Sequence, residues 1–143
     1  MRVLRWAARG FSMANDQRAE IVKRMWTAWC AGDLETALPA MADNITWTIP
    51  GNREVSGRHE GKDAMRQLFA EVRGLFPNGL QVDYHKLHTT GDSVVAEMTI
   101  KGPAFNGRPY ENAYCIVFEI AEDKIRAGRV YVDMAEVAKV FDT

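Results

Sequence analysis

The chain has 143 residues, 47% hydrophobic and 10% aromatic, with a formal net charge of -1. One domain of this length buries roughly 70% of the surface its unfolded chain exposes, and the composition is that of a folded globule rather than a disordered tail. The near-neutral balance leaves no basic field for nucleic acid or anionic lipid, and no stretch reaches the roughly 20 apolar residues that span a bilayer.

In the opening run MRVLRWAARGFS, Arg2, Arg5 and Arg9 interrupt the apolar residues, so no continuous signal core forms. Residues 1–14 read as an extension, disordered or lying upstream of a native start at Met13, and a short amphipathic targeting or surface segment is the alternative. Residues 15–143 form the single domain. Asn15 or Asp16 can cap a helix whose apolar positions Ile21, Val22, Met25, Trp26, Trp29 and Cys30 keep helical spacing. Gly32 stops it, and Asp33 caps a short second helix through Leu38, with Pro39 at its end. Ile45–Ile49 is a strand ended by Pro50-Gly51. A Gly-rich loop follows, and a third helix runs from about Lys62 to Phe76, with Met65, Leu68, Phe69, Val72 and Phe76 on one face. Pro77 terminates it.

The remainder reads as a meander of strands at Leu80–Thr89, Ser93–Lys101, Tyr110–Ile120 and Ile125–Val132. Gly91-Asp92, Asn106-Gly107 and Glu122-Asp123 mark the reversals. Met134–Phe141 closes the chain as a helix with Asp133 in capping position. This order describes a cone-shaped α+β domain: a curved, mostly antiparallel sheet wrapped around three N-terminal helices and a pocket.

On Tyr110–Ile120, Asn112, Tyr114, Ile116 and Phe118 share one face, and Ala113, Cys115, Val117 and Glu119 share the other. Both faces are mainly apolar, so both are expected to be covered. Helices cover one, and a second copy, in a homodimer, is the economical cover for the other. Glu97, Thr99, Arg129 and Tyr131 fit that outer face as a hydrogen-bonded patch, with Glu97 expected to pair with Arg129. Cys30 and Cys115 make no disulfide framework and read as small buried apolar residues. The expected location is cytoplasmic.

The segments AGDLETALPAMADNITW, G-x-x-x-G-K-x-A-M-R-x-L-F and GRVYVD together resemble the SnoaL-like polyketide cyclase group. That group shares a fold with ketosteroid isomerases, limonene epoxide hydrolases and nuclear transport factor-like proteins, a cystatin-like α+β roll. The resemblance covers roughly Asn15 to Phe141. It implies a deep apolar pocket inside the cone and dimerisation through the outer sheet face. Carrying functional positions over gives a negative result. The isomerases' tyrosine on the first helix falls at Met25, their proton-transferring aspartate at Ile49, and their second, proton-donating aspartate near Ile116. The catalytic aspartate of epoxide hydrolases and cyclases falls at Val130. Each of these positions is apolar here.

Other chemistries lack their motifs. No CxxC, HExxH or Walker-type loop is present, and His85 and His88, three apart on a strand, are expected to point to opposite faces. No metal and no cofactor is expected. The residues expected to line the cone are Met25, Trp29, Trp47, Ile49, Met65, Leu68, Phe69, Ala96, Met98, Asn112, Tyr114, Ile116 and Val130, with core filling as the alternative for several. Asn112 and Tyr114 are the best-placed polar pair, able to hydrogen-bond a ligand carbonyl or hydroxyl. The catalytic candidates are Tyr114, Asp133 and His59. The bland alternatives are helix capping for Asp133 and a solvated loop position for His59. Two readings follow. One is an enzyme (isomerase, cyclase or hydrolase) acting by acid–base chemistry on a mostly apolar small molecule. The other is a non-catalytic carrier or sensor using the same cone.

Overall fold

A computed structural model describes residues 2–142, with side chains from residue 15 onward. Helix α1 spans Arg2–Ala31, so Asn15 and Asp16 lie within it rather than at a capped start. The reading of residues 1–14 as a targeting or surface extension concerns side chains outside the described residues. Gly32, at φ +87°, ends the helix in the left-handed region. The Asp33 carboxylate accepts the Thr36 N–H at 3.1 Å to cap α2, Leu34–Ala37. A 3-10 turn at Leu38–Ala40 carries Pro39 and leads into β1, Met41–Ile49.

The strand starts four residues before the expected Ile45, and it has a partner that the Gly-rich composition concealed. Residues expected to be loop form β2, Gly57–Glu60, antiparallel to β1 with Trp47 opposite His59. Thus His59 sits on a strand. Helix α3 is Lys62–Leu75. The long strands follow as β3 Gln81–Thr90, β4 Ser93–Pro103, β5 Pro109–Ala121 and β6 Lys124–Val132, then helix α4 Met134–Phe141. Pro103 pairs with Pro109, so the stretch between them is a hairpin loop. Glu122 and Asp123 both have positive φ, 52° and 60°, which suits the tight β5–β6 reversal.

The sheet order is β2-β1-β6-β5-β4-β3, with β1 parallel to β6 and every other pair antiparallel. A shift between Tyr84 and Lys86 bulges β3. That bulge corrects the histidine geometry: His85 and His88 lie on the same outer face, at 2.7 Å from Thr99 Oγ1 and from Glu97 Oε2. No group of three or more candidate metal ligands forms among the described residues. Glu97 therefore pairs with His88, and Arg129 bonds Glu119 instead, at 3.1 Å. Register explains the change, since Glu97 faces Cys115 and then Tyr131, whereas Arg129 faces Val117.

The core fills the inner face. Val94, Ala96, Met98 and Ile100 of β4, and Ile116 and Phe118 of β5, are at most 1% exposed. Each large side chain among them contributes about 1.5–3 kcal/mol of burial. Trp26 stacks on Trp47 at 5.5 Å, and Phe118 packs against Trp47 at 5.8 Å. Gly128 lies under that ring: a Cβ there would stand 2.1 Å from Trp47 Cζ3. A second cluster of Phe76, Ala104, Tyr110 and Val140 closes one end of the roll. Among the described residues no helix is long and apolar enough to cross a membrane.

Candidate functional site

Between the helices and the inner sheet face lies a cavity of about 120 Å³. Trp26, Trp29 and Cys30 of α1 form one wall, Leu68 and Val72 of α3 a second, and Trp47, Ile49, Ile100 and Val130 the sheet side. Tyr110 and Tyr114 of β5 bring the hydroxyls. Met134, Val137 and Phe141 of α4, with Arg53 and Val55 from the β1–β2 loop, form the mouth. The volume is below the 300–1,000 Å³ of ordinary drug-sized sites, and close to the roughly 150 Å³ that holds a benzene-sized molecule. A wider, open groove of about 640 Å³ lies outside and shares Leu80 and Tyr110 with the cavity wall. Open to solvent, it holds a ligand less completely than the enclosed space does.

The two tyrosine hydroxyls of the cavity belong to one network. The Tyr110 and Tyr114 hydroxyls are 2.6 Å apart. Asn112 Nδ2 donates to the Tyr110 hydroxyl at 3.1 Å and to the Asp133 carbonyl at 2.9 Å. Tyr110, Asn112 and Tyr114 alternate along β5, so all three side chains point inward. Two hydroxyls carry two protons, and their mutual bond engages one. No hydrogen bond among the described residues engages the other, whichever tyrosine holds it.

Burial pushes the Tyr114 hydroxyl well above the usual tyrosine range, and the neighbouring Tyr110 adds to the rise. Burial likewise raises Tyr110, partly offset by its bonds to Tyr114 and Asn112. Burial also raises the Cys30 thiol. All three are therefore neutral at physiological pH. The buried Trp26 indole N–H has no partner among the described residues, and such a group costs about 1–3 kcal/mol when left unmet.

Of the residues expected to line the cone, Trp29, Trp47, Ile49, Leu68, Tyr114 and Val130 stand in this wall. Met25, Met65, Met98, Ala96 and Ile116 are instead buried core with no share in it. Phe69 packs edge-on against Trp29 at 5.3 Å, behind the wall. Asn112, 4% exposed, also stands behind it and holds Tyr110 rather than facing the space. Asp133 caps α4 by accepting the Ala135 N–H at 2.9 Å. His59 Nε2 lies 2.8 Å from the Val55 carbonyl, and its ring is not part of the wall. Tyr110 went unrecognised although the period-two count that found Tyr114 includes it. The mouth was missed because α4 and the β1–β2 loop reach the cavity through tertiary packing that no local pattern encodes.

Residues 22–128, three quarters of the sequence, match the SnoaL-like domain. The chain belongs to the SnoaL-like domain family. Solved structures share the fold of this SnoaL-like chain. An NTF2-like protein from Burkholderia xenovorans LB400 is 22% identical, with 90% of this chain and 98% of that one covered and a TM-score of 0.74. A protein described as a SnoaL-like polyketide cyclase, from Jannaschia sp. CCS1, is 17% identical over 90% and 94%, with a TM-score of 0.77. TerC, co-crystallised with polyporic acid, is 16% identical over 89% and 99%, with a TM-score of 0.79. At these identities the likeness concerns the fold. No curated protein matches the sequence.

Proposed function

We propose that this SnoaL-like protein binds a small, mostly apolar molecule carrying a hydrogen-bond acceptor group, and that it binds without acid–base catalysis. One observation carries the reading: no carboxylate or imidazole lines the cavity among the described residues, and its tyrosines and cysteine are held neutral by burial. A general base needs a pKa near the operating pH, and none of these groups offers one. What they offer is recognition, through an apolar wall, a free hydroxyl proton in the Tyr110–Tyr114 pair and the unpartnered Trp26 N–H.

The catalytic reading keeps one support. A hydroxyl donor beside a carbonyl oxygen stabilises developing negative charge, and one protein of the same fold is described as a SnoaL-like polyketide cyclase. That TerC, of the same fold, was co-crystallised with polyporic acid is in keeping with a small-molecule ligand and says nothing of a reaction here.

The test is calorimetric titration and thermal shift with cyclohexanone and methylcyclohexane, followed by product analysis after long incubation. The ketone should bind more tightly, and at a hundred times its Kd it should stabilise the fold by about 2.7 kcal/mol. In the Tyr110→Phe, Tyr114→Phe double variant the preference for the ketone should fall about tenfold. Turnover of the ketone, even slow isotope exchange at its α-carbon, would refute the non-catalytic reading.

A further inference from the structure

Among the described residues that line the cavity, Arg53 is the one with a permanent charge. Arg53 is part of the wall, its side chain 24% exposed, and its guanidinium bonds Asp142 Oδ1 through Nη1 at 3.1 Å and Nη2 at 2.5 Å. Both bonds go to one oxygen, so the fork that normally grips both oxygens of a carboxylate is only half used. Asp142 is a weak competitor for it: its side chain is 62% exposed and it lies just past α4, where a solvated pair gains little.

Arg53 itself is firmly placed. Its N–H donates to Ser56 Oγ at 3.0 Å, the Ser56 hydroxyl donates to the Pro50 carbonyl at 2.8 Å, and the Ser56 N–H donates to the Arg53 carbonyl at 3.0 Å. The loop is thus braced on itself, and the guanidinium stands at the rim of an apolar hole. Arg108 brings a second cation to the same chain end, since its Nη1 donates to the Val140 and Asp142 carbonyls at 3.2 and 3.1 Å, whereas the Asp133 and Glu136 carboxylates, felt at Tyr110, lie outside the lining.

We propose that the ligand is an apolar carboxylate whose tail fills the cavity and whose carboxylate displaces Asp142 from Arg53. The group already seated on the guanidinium is a carboxylate, so the chain's own Asp142 shows the chemistry this position accepts. The displaced latch also frees the mouth, because Arg53–Asp142 ties the β1–β2 loop to the end of α4. This assignment rests on the binding reading above and names the ligand class for the same cavity.

Benzoate and benzamide separate the two claims, since they share a ring and differ in charge. Measured by calorimetry at pH 7, benzoate should bind at least tenfold more tightly than benzamide. Arg53→Gln should reduce that ratio to about one while benzamide binding persists, and Arg53→Lys should retain part of it. Asp142→Asn, at an exposed side chain, should tighten benzoate severalfold and leave benzamide unchanged. Benzamide binding as tightly as benzoate, or a benzoate preference that survives Arg53→Gln, overturns the carboxylate assignment and leaves the binding reading standing. If neither probe binds, the cavity reading falls and the carboxylate assignment falls with it.

Discussion

The two faces of one sheet are built from the same strands and do opposite things with polar groups. Inward, β4 and β5 present Met98, Ile100, Ile116 and Phe118, and the inner polar groups on β5 are amide and phenol groups that stay neutral. Outward, one residue along, the same strands present Glu97, Thr99 and Glu119, which with His85, His88 and Arg129 form ion pairs and hydrogen bonds in solvent. Period-two alternation thus sorts the carboxylates and imidazoles of these strands to the outer face, and the proposed binding reading rests on that division.

The comparison can be broken most severely from the inside. Phe118→Ala, removing a fully buried ring between Trp26 and Trp47, should cost about 4 kcal/mol in urea unfolding. Tyr131→Ala, at a side chain 55% exposed on the outer face, should cost no more than about 0.5 kcal/mol. A larger and concentration-dependent loss at Tyr131 would mean that a second copy covers that face, the homodimer that the resemblance implies. Gly128→Ala comes next. Its methyl would overlap the Trp47 ring, so a loss of about 3 kcal/mol is expected, and a loss below 1 would show that the ring moves aside freely. Asn112→Ala strips a donor from Tyr110 and from the Asp133 carbonyl and should cost about 2 kcal/mol.

The smallest effects are titrations, and they act on the two faces at opposite ends of the pH scale. Tyr110 and Tyr114 are raised in the fold, so their contribution is complete below the ordinary tyrosine value of 10.0 and is lost as pH rises beyond it. Glu97 and Glu119 are lowered. His88's hydrogen bond is the main cause for Glu97. For Glu119, burial pushes upward but is outweighed by Ser93 and Arg129. Their contribution is complete above the ordinary glutamate value of 4.5 and is lost as pH falls below it. Chemical denaturation across pH 3–11 should show Tyr114→Phe flattening the alkaline limb and Glu119→Gln the acid limb. A variant that flattens the other limb would break the division between faces.

The fold was legible because its signals are local and periodic. Helical spacing in α1 and α3, the Gly32 stop, the Asp33 cap and the alternation of β4, β5 and β6 are each read within a dozen residues. The misses share one cause, dependence on distant partners. Gly57–Glu60 is a strand only because β1 lies beside it, and His85 shares a face with His88 only because β3 bulges against β4. For the site, the sequence placed Tyr114 and Val130 but took Met25 and Met98 for wall, since an inward direction does not tell a first layer from a second. Arg53 carried no local signal at all. Its meaning comes from Asp142, 89 residues away.

The parallel pairing of β1 with β6 also sets a timetable. Thr46 meets Ala127 and Thr48 meets Arg129, so the sheet joins its first strand to its last only after nearly the whole chain exists. Closing so long a loop before its contacts reward it is slow. The cavity takes its sheet side from both of these strands, through Trp47 and Ile49 of β1 and Val130 of β6, so its wall is complete only once that long-range pairing has formed.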